Sequence, residues 1–245
     1  MWAKARSDIR SQHLDTVLGQ IWTVLNPLLL GLVYALLISI FVGRDLELTT
    51  LATVLAGLFP FYYTRGIVAG AGSIIVRSGA AILNSSFPRI TLPLSNLMLA
   101  TIVYLPSLAV YAFFHVAARF PIGASLVWIP VIIVLHGLTS FGIGLLFSAA
   151  TVFFRDTASF LPYLLRIWMY LTPVLFRIDD IPDQFRGVIA ANPLTPLFVV
   201  WGQVVLDGEM PSMSYVGQSA GWAIVAMGLG TWVFISKERE FAVRI

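Results

Sequence analysis

Six stretches of about twenty predominantly apolar residues run through the chain, at roughly 21–43, 51–76, 97–118, 126–150, 157–176 and 215–235. A helix rises about 1.5 Å per residue, so each stretch is long enough to cross the ~30 Å hydrocarbon core of a bilayer. None alternates apolar and polar residues as a membrane barrel strand does. The expected fold class is therefore an all-α membrane protein with six transmembrane helices. Charge sets the same limit. Only 11% of the 245 residues are Asp, Glu, Lys or Arg, less than half the ~25% of a soluble domain, so lipid must solvate much of the surface. The first run is too long for the apolar region of a cleaved signal, about 7–15 residues, and reads as a retained anchor.

The loops assign an orientation. With the N-terminus inside, Lys4, Arg6, Arg10, Arg77, Arg89, Arg155, Lys237, Arg239 and Arg244 fall on the cytoplasmic side, and Arg44, Arg119, Arg177 and Arg186 fall outside. Positive residues accumulate on the cytoplasmic side of membrane proteins, and an even number of spans returns the C-terminus there. The net charge of +3 is thus explained by the flanks of the spans. No continuous basic patch suggests a nucleic-acid partner.

Two connections are unusual. Segment 77–96 is cytoplasmic and carries Phe87-Pro88-Arg89. Segment 177–214 is external and long, and its apolar middle is broken by Asn192-Pro193 and Pro196. So interrupted a run is a poor seventh span. A pair of short re-entrant or interfacial helices over 177–206, buried against protein, suits it better. Pro106, Pro130 and Pro162 lie within spans and read as kinks. The chain shows no repeat, low-complexity stretch or soluble domain, and 1–245 reads as one membrane domain.

Several chemistries are excluded by residue type. With no cysteine there is no disulfide framework, thiolate metal site or cysteine nucleophile. His13, His115 and His136 lie far apart in sequence. His115 and His136, in apolar segments, are expected to be hydrogen-bonded structural histidines, and no metal site is expected. Neither lysine, Lys4 or Lys237, sits in a Gly-rich phosphate-binding loop. If ATP drives this protein, another subunit binds it. Every Asp and Glu falls in a loop or at the end of a span, which disfavours proton or sodium coupling through buried carboxylates. No His/Asp constellation converges as a membrane-embedded transferase would need. The chain is therefore expected not to be an enzyme.

Two charges do lie within spans, Arg65 and Arg166. A membrane-buried arginine is a functional candidate by default. The expectation is that both face a polar translocation path and meet an anionic group such as a lipid-linked phosphate; binding to backbone carbonyls or snorkelling is the plain alternative. Aromatic residues gather in the same two spans: Phe59, Phe61, Tyr62 and Tyr63, then Trp168, Tyr170 and Phe176. They suit either an interfacial belt or a surface on which sugar rings stack. With Trp22 at the head of the first span, they complete the candidate substrate path. Gly66-x-x-x-Gly70 and Gly217-x-x-x-Gly221 permit close helix approach.

Four local patterns then stand in order. Leu18-Gly19-Gln20-Ile21-Trp22 leads into Asn26-Pro27. Phe87-Pro88-Arg89 is followed by Leu92-Pro93-Leu94-Ser95. Phe154-Arg155-Asp156 precedes Leu171-Thr172-Pro173. Asn192-Pro193-Leu194-Thr195-Pro196 is followed by Leu206-Asp207-Gly208. Together they resemble the permease subunit of type-2 ABC exporters, in the branch that moves lipid-linked polysaccharide such as O-antigen, capsule, teichoic acid or galactan. Gln12-His13 stand where that family carries a basic residue followed by tyrosine.

The resemblance implies two permease copies working with two ABC ATPase subunits that bind ATP and Mg, no cofactor in this chain, and a bacterial inner-membrane location. It implies an N-terminal interface helix over residues 1–20. It also implies an ATPase-docking element around Asn84, Ser85, Ser86, Phe87, Pro88 and Arg89, assisted by Arg6 and Arg10. Spans 1 and 5 resemble channel walls, and Asn192, Pro193 and Pro196 belong to an outer gate. ATP binding would then close the ATPases and separate the permeases along spans 1 and 5. An exporter of drugs or small lipids is the nearest rival, and an ion-coupled carrier is a more distant one.

Overall fold

The computed structural model describes residues 21–43, 47–84 and 87–244. The predicted interface helix over 1–20, with Arg6 and Arg10, lies outside the described residues, as do Ser85 and Ser86. Among those described there is no strand. The chain is a bundle of α1 (Ile21–Val42), α2 (Leu48–Arg77), α3 (Gly79–Asn84), α4 (Thr91–Ala117), α5 (Ile129–Phe153), α6 (Asp156–Tyr170), α7 (Asp183–Ala190), α8 (Thr195–Val205), α9 (Met213–Lys237) and α10 (Phe241–Arg244). Among the described residues five helical runs are long and apolar enough to cross a membrane, and the bent pair α7–α8 makes a sixth if counted as one span.

The all-α class stands, but the fifth predicted span is shorter than expected. Its helix, α6, ends at Tyr170 after 15 residues, about 22 Å of rise, and turns occupy 171–174. Pro173 has no N–H to continue the helix, and the side chain of Asn192 takes over the carbonyl of Leu171. Pro130 also differs from expectation. It occupies the first turn of α5, where a missing N–H costs nothing, and so it is not a mid-span kink. Pro106 and Pro162 do lie inside helices, as do Pro27 and Pro60.

α2 is the axis of the bundle. Its run from Val54 to Phe61 is buried on every side, because α1, α4, α5, α6 and α8 all pack around it. In lipid the tails are as apolar as leucine, so close packing and interhelical hydrogen bonds hold helices together rather than the hydrophobic effect. Both are visible here. α5 and α9 cross backbone to backbone at Gly142 and Gly230, where a Cβ on either glycine would meet the main chain of the other helix. The predicted small-residue pair Gly217 and Gly221 instead faces open space. Gly70 admits the side chain of Asn96, whose amide donates to the carbonyls of Gly66 and Ile67.

The polar groups of the core pair with one another. Thr64 Oγ1 and His136 Nε2 share a short hydrogen bond, and Ser140 donates to Thr64. Tyr63 pairs with Thr101 through their hydroxyls, and its ring stacks on Tyr104 at 4.6 Å. His115 donates from Nε2 to the Pro121 carbonyl. His115 and His136 are thus hydrogen-bonded within the fold, as expected of them. Interhelical hydrogen bonds in membranes average under about 1 kcal/mol. Thr64→Val, which strands His136 Nε2, is therefore expected to lower stability by about 1 kcal/mol in detergent melts; an unchanged melt would show the pair contributes nothing.

The helix ends sort by charge. Arg77, Arg89, Arg155, Lys237, Arg239 and Arg244 outnumber Asp156, Glu238 and Glu240 at one end of the bundle, and Glu47, Asp179, Asp180, Asp183, Asp207 and Glu209 outnumber Arg119, Arg177 and Arg186 at the other.

Candidate functional site

α6 is two-faced. Leu161, Leu165 and Met169, spaced at i, i+4 and i+8, are buried. The opposite row, Tyr163, Arg166 and Tyr170, is exposed. Residues three and four apart on a helix share a face, so the sequence of α6 itself turns a polar aromatic stripe outward. α1, which also packs on α2, reaches this stripe through Tyr34. The hydroxyls of Tyr34 and Tyr170 lie 2.5 Å apart, and their rings meet edge to face at 6.4 Å. Arg166 and Tyr62 are within electrostatic reach of the Tyr34 hydroxyl. Arg166 has no ion-pair partner among the described residues. The other large side chains of the α1 surface, Leu29, Leu32, Val33, Leu36, Leu37, Ile40 and Phe41, are apolar and exposed.

Arg65 occupies a different place. It lines a cavity of about 360 Å³ between α1, α2 and α4, together with Thr23, Asn26, Phe59, Tyr62, Tyr63, Tyr104 and Ser107. Its guanidinium lies over the Tyr62 ring, 5.4 Å from the centroid, and it too has no ion-pair partner among the described residues. The two arginines predicted to face one path thus lie in separate settings, with Tyr62 between them. Phe61 points away from the cavity and is buried with Val54, Leu58, Met169 and Phe198. Only 1% of its surface is accessible, so it packs the core and offers no face to a sugar. Tyr63 is likewise buried, held by Tyr104 and Thr101. Trp22 is exposed at the first turn of α1.

At the acidic end a single amide ties the break after α6 to the turn between α7 and α8. Asn192 Oδ1 accepts from Trp168 Nε1 at 2.8 Å and from the Leu194 N–H at 3.0 Å. Its Nδ2 donates to the Leu171 carbonyl and to Thr172 Oγ1. Asn tolerates such turns because its side chain can bond its own backbone two residues on. Pro196 starts α8 in the position where proline is favoured, Pro193 lies in the turn, and the α7 and α8 axes meet at 103°. Trp168 spends its only donor on Asn192 and so is fixed in place. Arg177 forms a two-pronged ion pair with Asp207 at 2.9 and 2.7 Å. That bond raises the Arg177 pKa above its ordinary value. A raised cationic pKa is lost only as pH rises through it, far above any working pH, so Arg177 remains charged throughout. A second cavity of about 440 Å³ opens here, walled by Thr49, Thr53, Arg177, Asp180, Gln203 and Tyr215 among others.

At the basic end, Arg89 is tied to the end of α9. Its Nη1 donates to the Glu238 carbonyl, and its backbone N–H donates to the Glu238 carboxylate at 3.3 Å. Phe87 packs against the main core cluster, while Asn84 and Pro88 are exposed. Phe153, Phe234 and Phe241 form an aromatic knot beneath Lys237 and Arg244. Tyr34 and Glu238 carry this arrangement without standing out in the sequence, and Asp207, part of the Leu206-Asp207-Gly208 pattern, gives no sign there of its partner. Tyr34 is one hydroxyl in an apolar run, and the acids find their partners 30 and 149 positions away.

A family model described as ABC-2 type transporter matches residues 1–201 of the chain. Relatives align over nearly its whole length. An O-antigen export system permease protein RfbA of Klebsiella pneumoniae is 28% identical, covering 96% of this chain and 90% of that protein. The protein of the same name in Myxococcus xanthus is 24% identical, covering 97% and 92%. The polysialic acid transport protein KpsM of Escherichia coli is 22% identical, covering 94% and 90%.

Proposed function

The chain belongs to the ABC-2 type transporter family, and on that premise we propose that it is the membrane-spanning subunit of an ATP-driven exporter that carries a lipid-linked polysaccharide across a bacterial inner membrane. The observation that carries this reading is the alignment, over nearly the whole chain, with proteins named for O-antigen export and polysialic acid transport. Two copies of the chain would work with two ATPase subunits, which would bind ATP and Mg. The basic end would face the cytoplasm, by the positive-inside tendency.

The geometry supports a division of labour. The α1 surface and the Tyr163–Arg166–Tyr170 stripe are the exposed flanks of α2, and in a pair of copies they would wall the path. Trp22, Arg166 and Tyr170 are the path residues this favours, with Tyr34 added. Tyr62 and Arg65 lie at its side, and Phe59, Phe61, Tyr63 and Trp168 support it from within. A rigid aromatic-hydroxyl surface suits sugar, whose rings offer both apolar faces and hydrogen-bonding edges. The α7–α8 pair would be the re-entrant outer gate, with Asn192, Pro193 and Pro196 at its turn. Asn84 to Arg89 would dock on the ATPase, assisted by Arg6, Arg10, Ser85 and Ser86.

Co-purification with a candidate ATPase, followed by ATPase assay in vesicles carrying lipid-linked polysaccharide, tests this reading. A stable complex whose ATPase rate rises with substrate is expected. No complex and no stimulation would overturn it. Stimulation by amphipathic drugs instead would favour the drug-exporter reading. In the same assay Arg89→Ala, which releases the docking segment from α9, is expected to reduce stimulation about tenfold. Glu238→Gln should be milder, because Arg89 Nη1 bonds the main-chain carbonyl, which that substitution retains.

A further inference from the structure

Arg65 carries a full charge at a depth where nothing in the described chain neutralises it. It lies twelve residues before Arg77, the inner end of α2, which is about 18 Å along a helix about 45 Å long. That places its backbone within the acyl region of the cytoplasmic leaflet, one side-chain length from the headgroups. An uncompensated guanidinium there is costly and calls for an anion or water. The sequence holds no carboxylate inside a span to meet it.

Arg65 is itself exposed, and its surroundings have the features of a ligand site. The guanidinium lies over the Tyr62 ring. A cation–π contact uses the ring and no hydrogen-bond acceptor, so the N–H donors of the arginine remain available to an oxyanion. The cavity that Arg65 lines is bounded by two other helices, which bring Thr23 and Asn26 from α1 and Ser107 from α4. Gly66 and Gly70 also line it, and Asn26, Arg65 and Gly66 are exposed. At about 360 Å³ it falls at the lower end of the range of small-molecule sites, about 300–1,000 Å³. That suits one headgroup and is too small for a polymer.

We propose that the groove between α1, α2 and α4 binds the phosphate of a lipid, with Arg65 as its anion ligand. The assignment of the phosphate to the substrate's lipid carrier rests on the proposed export function. The phosphate chemistry itself does not, since a bilayer phospholipid presents the same group in the same leaflet.

Native mass spectrometry of the full chain in non-ionic detergent, titrated with three lipids, tests the site. The probes are a polyprenyl phosphate, the corresponding polyprenol, and phosphatidylglycerol. The wild type is expected to bind polyprenyl phosphate at least about tenfold more tightly than polyprenol, the worth of a charge-assisted hydrogen bond. Arg65→Gln should erase that preference. Arg77→Gln, the same charge loss on the same helix outside the groove, should keep it. Asn26→Leu, which closes the opposite wall, should weaken phosphate binding several-fold without touching the arginine. Matching melting curves would show that the variants fold. Arg65-dependent binding of polyprenyl phosphate alone supports the carrier as source; Arg65-dependent binding of phosphatidylglycerol as well supports the site with a bilayer source. An unchanged phosphate preference in Arg65→Gln overturns the proposal. Because the assay needs neither ATPase nor transport, that failure is distinct from failure to form an ATPase complex, which would sink the exporter reading and leave the site standing.

Discussion

Asn192→Ala is expected to lower stability by about 3 kcal/mol and to abolish substrate-stimulated ATPase activity. The amide meets four partners at once, and two of them are donors, the part-buried Trp168 Nε1 and the buried Leu194 N–H. Each buried group left unsatisfied costs about 1–3 kcal/mol. The lost bonds to the Leu171 carbonyl and Thr172 add to this. The damage is concentrated where α6 stops and α7 turns into α8, so the outer end of the bundle should loosen while the basic end stays folded. Hydrogen exchange resolved by segment would show it: faster exchange over 168–200, and unchanged protection in the inner half of α5. Asn192→Asp keeps the acceptor and loses the donor, so it should leave Trp168 better ordered than alanine does. If Asn192→Ala melts like the wild type, the amide does not hold the break.

Gly142→Ala should be about as damaging, at roughly 3 kcal/mol, the upper part of the usual overpacking range. The added methyl meets the backbone of Ala226 and Met227 rather than a side chain that could rotate aside. α5 and α9 must then separate along their whole contact, which is the most extensive pairing in the bundle. Gly230→Ala meets the backbone of Gly142 from the other side and should behave alike. Gly217→Ala and Gly221→Ala have open space around the new methyl and should be neutral or slightly favourable, as alanine is the better helix former. Melting curves of the four variants in one detergent make the comparison. Equal effects at all four positions would show that close helix approach does not explain them.

Those four glycines also mark where sequence reasoning stops. Gly217-x-x-x-Gly221 has the spacing associated with helix contact, yet it faces open space, while Gly142 and Gly230 meet across a helix pair without advertising it. Spacing gives a helix a smooth face. Which face meets a neighbour depends on how all the helices pack. The same holds for the arginines. Their rarity in spans identified Arg65 and Arg166 as worth explaining. Only the packing of α1 and α4 against α2 put Arg65 in a groove, and only the buried Leu161–Leu165–Met169 row turned Arg166 the other way.

Hydropathy and length were enough to establish an all-α membrane chain, because a backbone in lipid must satisfy its hydrogen bonds internally and a helix does so within one segment. The missing phosphate loop, the acid-free spans and four ordered motifs carried the reading as far as an ABC-type permease, since each is a property of residues near one another in the chain. The end of α6 at Tyr170 was beyond that reach. It depends on Asn192, more than twenty residues away, capturing a carbonyl that the sequence around Pro173 leaves unpaired. Of the six apolar stretches, five became continuous helices long enough to span the bilayer; the fifth in order, together with the broken pair that follows it, took its shape from contacts that only the tertiary structure supplies.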